Sequence, residues 1–181
     1  MGLVAVDTVL VLAFADQLWF RDLPCPICIL QRAGFIAAGF GIALNLMFGP
    51  RPNHYGLAIL GAMVGGIMSA DQVFHYIVPG TGSYGNAVFG LHLYSWALIA
   101  FAAVTIGSGL MLLFDRQFEP AGPLPARLSI LPMSAVALLA LLAVGNVVST
   151  LAICGIGLCP ETPGGYLIFN ENLGLAQVKA P

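Results

Sequence analysis

The sequence predicts an all-α integral membrane protein with five transmembrane helices, and three observations carry that prediction. Of 181 residues, 59% are apolar and 8% charged, against roughly 25% charged in an ordinary soluble domain. The mean hydropathy of +0.95 is too high for the apolar side chains to be confined to one small core, so most of the surface must meet the hydrocarbon of a bilayer. Finally, five windows of the ~20 apolar residues that a membrane helix needs follow one another along the chain. The same numbers exclude nucleic-acid binding, because 6 Lys+Arg against 8 Asp+Glu leave no basic footprint for phosphates. The length suits one domain of a few crossing helices.

The windows fall at about 3–20, 27–48, 55–78, 88–114 and 128–153. The first differs from a signal peptide in lacking a basic leading region, in carrying Asp7 and Asp16, and in having no small-residue cleavage site before Arg21. It is therefore expected to remain as a helix. Pro and Gly mark the joints at Gly49-Pro50-Arg51-Pro52, Pro79-Gly80-Thr81-Gly82, Pro120 to Pro125, and Pro160 to Gly165. No internal repeat or low-complexity tract interrupts the pattern. Basic residues in short loops favour the cytoplasmic side. Arg51, Arg116 and Arg127 put the joint between helices 2 and 3 and the joint between helices 4 and 5 inside, so the five-helix count leaves the N-terminus inside and the tail from Cys154 outside.

That topology sends all four cysteines to one face: Cys25 and Cys28 at the mouth of the second helix, Cys154 and Cys159 just beyond the fifth. Two close pairs on the outer side fit a compartment where disulfides form, rather than cysteines scattered as small core residues. In Leu23-Pro24-Cys25-Pro26-Ile27-Cys28, Pro24 drives Leu23 to extended geometry and Pro26 suits a first helical position, so the Cys-x-x-Cys opens a helix. Unpaired N–H groups and the helix dipole there favour thiolate over thiol, as electron exchange requires.

Arg32 follows Cys28 by four residues, on the same helix face and about 6 Å deeper at ~1.5 Å per residue. It either snorkels to the headgroups or, with Gln31, holds a polar acceptor such as a quinone carbonyl beside the Cys28 sulfur. In Cys154-Gly-Ile-Gly-Leu-Cys159 two glycines let the chain fold back so that the sulfurs can meet. Such a pair is either a labile exchange disulfide or a staple at the end of the fifth helix. Asp7, Asp16 and Asp71 are costly at depth; a bond to Arg32 would account for Asp16 or Asp71. His75 and His92 fall near the outer helix ends, close to the cysteine layer, and are either interfacial or part of the site. His54 is expected in a cytoplasmic loop.

Pro24-Cys25-Pro26-Ile27-Cys28-Ile29-Leu30-Gln31-Arg32 resembles the signature of the disulfide bond formation protein B (DsbB) family of membrane quinone-linked oxidases. Asp71-Gln72-Val73 before Pro79 looks like that family's Arg-Gln-Val segment with the arginine replaced, and Gly90-Leu91-His92-Leu93-Tyr94-Ser95-Trp96-Ala97-Leu98 resembles the start of its last core helix. The resemblance implies a four-helix bundle over 1–115 carrying the Cys-x-x-Cys and quinone site. To this are added a cytoplasmic loop at 116–128, a fifth transmembrane helix at 129–153 and a periplasmic tail at 154–181 with the second pair. The family carries its second pair between helices 3 and 4, whereas the stretch from Val78 to Ala87 holds no cysteine here.

The resemblance further implies a bacterial inner-membrane enzyme with its cysteines facing the periplasm. It would take electrons from a thioredoxin-fold (DsbA-like) dithiol partner through Cys154 and Cys159, pass them to Cys25 and Cys28, and deliver them to ubiquinone or menaquinone. Arg32, Gln31, His75 and His92 are the candidate quinone-binding residues, and no metal is expected. Lipid is the other partner. A vitamin K epoxide reductase-like enzyme shares the Cys-x-x-Cys on a helical bundle, but the Gln31-Arg32 continuation favours DsbB. From another class, the four cysteines could form a tetrahedral metal site, although Cys-x₄-Cys is looser than usual for zinc. A small transporter using Asp16 and Asp71 is disfavoured because no helix shows the broken inverted-repeat pattern.

The topology is open to direct labelling. After reduction, a membrane-impermeant thiol reagent applied outside intact cells should reach Cys154 and Cys159, while a tag at Arg51 or Arg116 should react only from inside. Protection of Cys159 from the external reagent would reverse the orientation.

Overall fold

The computed structural model describes residues 1–78, 80–85, 87–118, 130–157, 159–160 and 163–169. Its long helices are α1 (Gly2–Trp19), α2 (Pro26–Phe48), α3 (Pro52–Tyr76), α4 (Leu93–Leu112) and α5 (Ile130–Cys154). All five are long and apolar enough to cross a membrane. The all-α membrane class follows, and the sheet among the described residues is one antiparallel pair of two-residue strands, β1 (Ala87–Val88) and β2 (Leu91–His92). Residues 119–128 of the expected loop at 116–128, Arg127 among them, and residues 158, 161–162 and 170–181 of the expected tail at 154–181 lie outside the described residues.

Two boundaries differ from the apolar windows. The fourth window begins at 88, whereas α4 begins at Leu93 because Phe89 (φ 52°) and Gly90 (φ 81°) turn the chain back between β1 and β2. Two successive positive φ values are the requirement of a type I′ hairpin turn, which a hydropathy window cannot register. The third helix starts earlier than expected. Pro52 occupies its first turn, where a proline loses no helical hydrogen bond. His54 is thereby inside α3, buried, with its Nδ1 3.1 Å from Asn45 Oδ1, rather than in a loop.

The helices associate through small residues, as expected where lipid removes the hydrophobic drive for side-chain burial. Gly34 and Gly41 of α2 face Ala58, Gly61 and Gly65 of α3. A Cβ added to Gly34 would lie 2.6 Å from Gly65 Cα, and one added to Gly61 would lie 2.5 Å from the backbone nitrogen of Ala38. The two backbones are thus in direct contact. Ser69, fully buried in the same seam, returns its hydroxyl to Gly65 O at 2.9 Å and so demands nothing of α2. Gly65 also leaves room for Phe101 of α4, which stacks on Phe35 of α2 with ring centroids 3.8 Å apart.

α4 packs mainly on α3, whereas α1 and α5 pack on α2 and on each other. Between α1 and α4 this leaves two adjoining cavities of about 500 and 560 Å³, which share Val9, Phe35 and Ala100. Asp7 of α1 is 2% exposed, and among the described residues neither carboxylate oxygen has a hydrogen-bond partner.

Gly65→Ala should lower the thermal midpoint of the detergent-solubilised protein, because overpacking costs about 1–3 kcal/mol and the ring of Phe101 occupies the space of the new methyl. Gly107→Ala, with nothing within 4 Å, should leave the midpoint unchanged or raised. Equal midpoints for the two variants would refute the close-packed seam.

Candidate active site

The first cysteine pair is built into the start of α2. Pro26 takes the first turn and Cys25 caps it in extended geometry (φ −66°, ψ 163°), its Sγ accepting the Cys28 N–H at 3.1 Å. The cap brings the two residues to a Cα separation of 5.0 Å, and they form a disulfide. Both sulfurs therefore lie at the positive end of a helix, where negative charge is favoured. Cys25 is 6% exposed; Cys28 is half-buried and faces the larger cavity.

The glycine seam carries α3 close enough for a second contact. Gln72 is 2% exposed, and its Nε2 lies 3.7 Å from Cys25 Sγ and 3.9 Å from Cys28 Sγ. Gln31 of α2 holds it in place by donating from Nε2 to Gln72 Oε1 at 2.8 Å.

Arg32 points into the bundle rather than out along its surface. It is 7% exposed and turns inward, donating from Nη1 to Gln17 Oε1 at 2.6 Å and from Nη2 to the Ala13 carbonyl at 2.7 Å. Its guanidinium lies over the Phe14 ring, 4.8 Å from the centroid. The bond anticipated with Asp16 or Asp71 is thus replaced by an amide and a carbonyl of α1. Asp71 is exposed.

Cys28, Gln31 and Arg32 share the wall of the 560 Å³ cavity with Asp16. The lining is otherwise largely apolar, and Leu12, Phe20 and Ile99, which line it, are themselves exposed on the outer apolar surface of the bundle. Size and character are those of a small-molecule site, apolar with a few convergent polar groups, and a planar quinone ring with an apolar tail fits this donor set. Over the cavity mouth, Tyr84 donates its hydroxyl to the Leu23 carbonyl. Burial, then Asp22 and Tyr76, push that hydroxyl above the usual tyrosine range, so it remains a donor at neutral pH.

The second pair meets this site from α5. Gly155, with φ 62°, ends the helix by donating its N–H to Leu151 O at 2.9 Å, and Cys154 and Cys159 form a disulfide with Cα atoms 4.5 Å apart. Cys154, 4% exposed, packs with Ile153 against Ile29, the residue after Cys28, while Leu23, half-buried Cys159 and Tyr166 cover the cluster. The two disulfides therefore flank one small apolar cluster. A polar bridge runs beside it: Gln17 accepts from Arg32 and donates from Nε2 to Ser149 Oγ at 2.8 Å and Tyr166 Oη at 3.1 Å.

Of the residues singled out in the sequence, the four cysteines, Gln31 and Arg32 converge at this end of the bundle. His75 and His92 do not line the cavity. They terminate an aromatic row, His75–Tyr76–Tyr94–His92, of which Tyr94 reaches the wall; His75 is exposed, and His92 Nδ1 is buried with no hydrogen-bond partner among the described residues. Gln17 and Gln72 were not foreseen. Each is an uncharged polar residue inside an apolar helix, a type that bonds across helices when it faces the bundle interior, and that signal was available.

Comparison with known proteins bears on this geometry. Residues 1–80 match the family described as disulfide bond formation protein DsbB. The chain is 28% identical over 160 residues to a disulfide bond formation protein B of Xanthomonas campestris pv. campestris (strain 8004), covering 68% of this chain and 90% of that one. It is 27% identical over 143 residues to the protein of the same name from Xanthomonas euvesicatoria pv. vesicatoria (strain 85-10), covering 59% of this chain and 83% of the relative. No solved structure matches the chain significantly.

Proposed function

We propose that the chain, whose first 80 residues match the family described as disulfide bond formation protein DsbB, is a membrane thiol oxidase that forms disulfides. In this reading it carries electrons from a periplasmic dithiol protein of the thioredoxin fold to a membrane quinone, in a bacterial inner membrane with the cysteine end facing the periplasm. The observation that carries the proposal is the sharing of one largely apolar cavity by Cys28, Gln31 and Arg32, with a second disulfide packed against the residue that follows Cys28.

Burial supports one order of exchange. Cys159 is half-buried and Cys154 almost wholly buried, so a partner thiolate attacks Cys159. A partner–Cys159 bond forms, the Cys154–Cys159 bond breaks, and Cys154 leaves with the electron pair as thiolate. The partner's second thiolate then displaces Cys159, which oxidises the partner and leaves the outer pair reduced. Cys154, the more buried of the two, passes the electrons on by attacking Cys25, which releases Cys28 as thiolate; Cys159 then attacks Cys154, the Cys154–Cys25 bond breaks, and Cys25 leaves as the second inner thiolate. A bound quinone would supply the two-electron, two-proton acceptor. Cys28 would face it, Arg32 would hold a ring oxygen with guanidinium donors that its two bonds to α1 do not consume, and Cys25 would close on Cys28 to restore the disulfide. The adjoining 500 Å³ apolar cavity suits the tail.

Cys159→Ser should abolish oxidation of a thioredoxin-fold dithiol protein while sparing quinone reduction by a small dithiol that reaches the inner pair directly. Oxidation of the protein partner at the original rate would make the outer pair a staple and move docking to Cys25. Arg32→Ala should raise the apparent KM for quinone about ten- to a hundredfold, the worth of one charge-assisted hydrogen bond of about 1.5–3 kcal/mol. Unchanged quinone kinetics would confine Arg32 to holding α1 against α2.

A further inference from the structure

We propose that Gln72 is a catalytic hydrogen-bond donor to the sulfurs of the Cys25–Cys28 pair, stabilising the thiolate that appears when their bond opens. The inference rests on the oxidase reading and names a residue for its inner exchange step. Three features point to it. Gln72 is buried in the α2–α3 seam, its oxygen is occupied by Gln31 Nε2, and the amide nitrogen is thereby turned to the sulfurs, nearly equidistant from both at 3.7 and 3.9 Å. An amide nitrogen carries two N–H groups, so it can serve either sulfur without being rebuilt.

The value of such a donor depends on the charge it meets. A disulfide sulfur is a weak acceptor, whereas a thiolate is a strong one, and an aimed donor in a water-poor site therefore favours the opened state over the closed. When the Cys154 thiolate attacks Cys25 Sγ, a Cys154–Cys25 bond forms, the Cys25–Cys28 bond breaks, and the electron pair departs on Cys28 Sγ. One thiolate replaces another, and Gln72 gives up no proton. The two sulfurs are unequally supported. Cys25 Sγ also accepts the Cys28 N–H, while Cys28 Sγ faces the apolar cavity, so Cys28 depends more on Gln72. Arg32 does not supply this contact, since its fork is turned toward Gln17 and Ala13.

The test uses the full chain, reduced in detergent, with Cys154 and Cys159 replaced by serine and one inner cysteine kept at a time. The rate of alkylation by a small haloacetamide is followed against pH. With Cys28 alone, Gln72→Leu should lower the rate at neutral pH about ten- to a hundredfold and move the profile to alkaline pH, as loss of a hydrogen bond to a charged group predicts. Gln72→Glu, of nearly the same size, should lower it further by adding a carboxylate. Gln31→Leu, which frees Gln72 without removing it, should have a smaller effect, and Cys25 alone should respond less than Cys28 alone.

An unmoved Cys28 profile in folded Gln72→Leu or Gln72→Glu protein would overturn the proposal. So would an unsubstituted protein whose Cys28 titrates like a free thiol near ~8.5, a result that needs neither variant to fold. Alkylation requires no quinone and no partner. A negative result here therefore leaves the oxidase reading standing, and absent quinone reduction leaves this measurement valid.

Discussion

The setting of the inner disulfide depends on how closely α2 and α3 approach. With lipid outside, the helices gain little by hiding apolar side chains from water, and the seam instead lets backbone meet backbone at Gly34, Gly61 and Gly65. That contact brings Gln72 within reach of Gln31 and of both inner sulfurs, and it opens the slot that the Phe101 ring fills. A thicker residue in the seam would push α3 outward and loosen the polar contacts above it along with the packing.

The polar groups divide the labour between two sides of α2. Gln31 faces α3 and fixes Gln72, whereas Arg32, the next residue, faces α1 and is fixed by Gln17. Since consecutive residues on a helix point about 100° apart, one turn serves the disulfide on one side and the cavity on the other. Gln17 also bonds Ser149 and Tyr166. The arginine is therefore oriented by the same amide that ties α5 and the tail to the bundle, so the fifth helix belongs to the site and is not an appendage.

Much of this was legible in the sequence, for reasons that differ between elements. Five apolar windows gave the helices because length and hydropathy are local properties, and Pro26 and Pro52 marked helix starts by removing an N–H that needs no partner there. The convergence of both cysteine pairs followed from counting helices, and Arg32 from its spacing to Cys28. The Phe89-Gly90 turn was missed because an apolar residue at positive φ looks like more helix to a hydropathy scan. The partner of Arg32 was sought among carboxylates, whereas a buried arginine can also be satisfied by neutral acceptors, here an amide and a carbonyl oxygen. Gln17 and Gln72 carried a signal as uncharged polar residues in apolar helices, but which face of α1 or α3 turns inward is a matter of packing between distant segments, so their partners became assignable only once the seam and the place of α5 were known. His75 and His92 lie at the right depth, but depth alone does not say which residues line a cavity.

Cys25 and Cys28 are chemically alike but structurally unequal. Cys25 Sγ is the cap of α2, and on the proposed mechanism it is also a reacting atom, so the helix would begin on an atom whose bonding changes with every exchange. Serine, a favoured residue at helix caps, can take over the first duty there and none of the second. A hydroxyl at position 25 therefore leaves the helix start intact while stranding Cys28 without its redox mate, whereas at position 28 the same exchange removes the sulfur that faces the cavity and leaves the cap in place. The pair is thus built so that either half can be silenced without unwinding the helix that carries both.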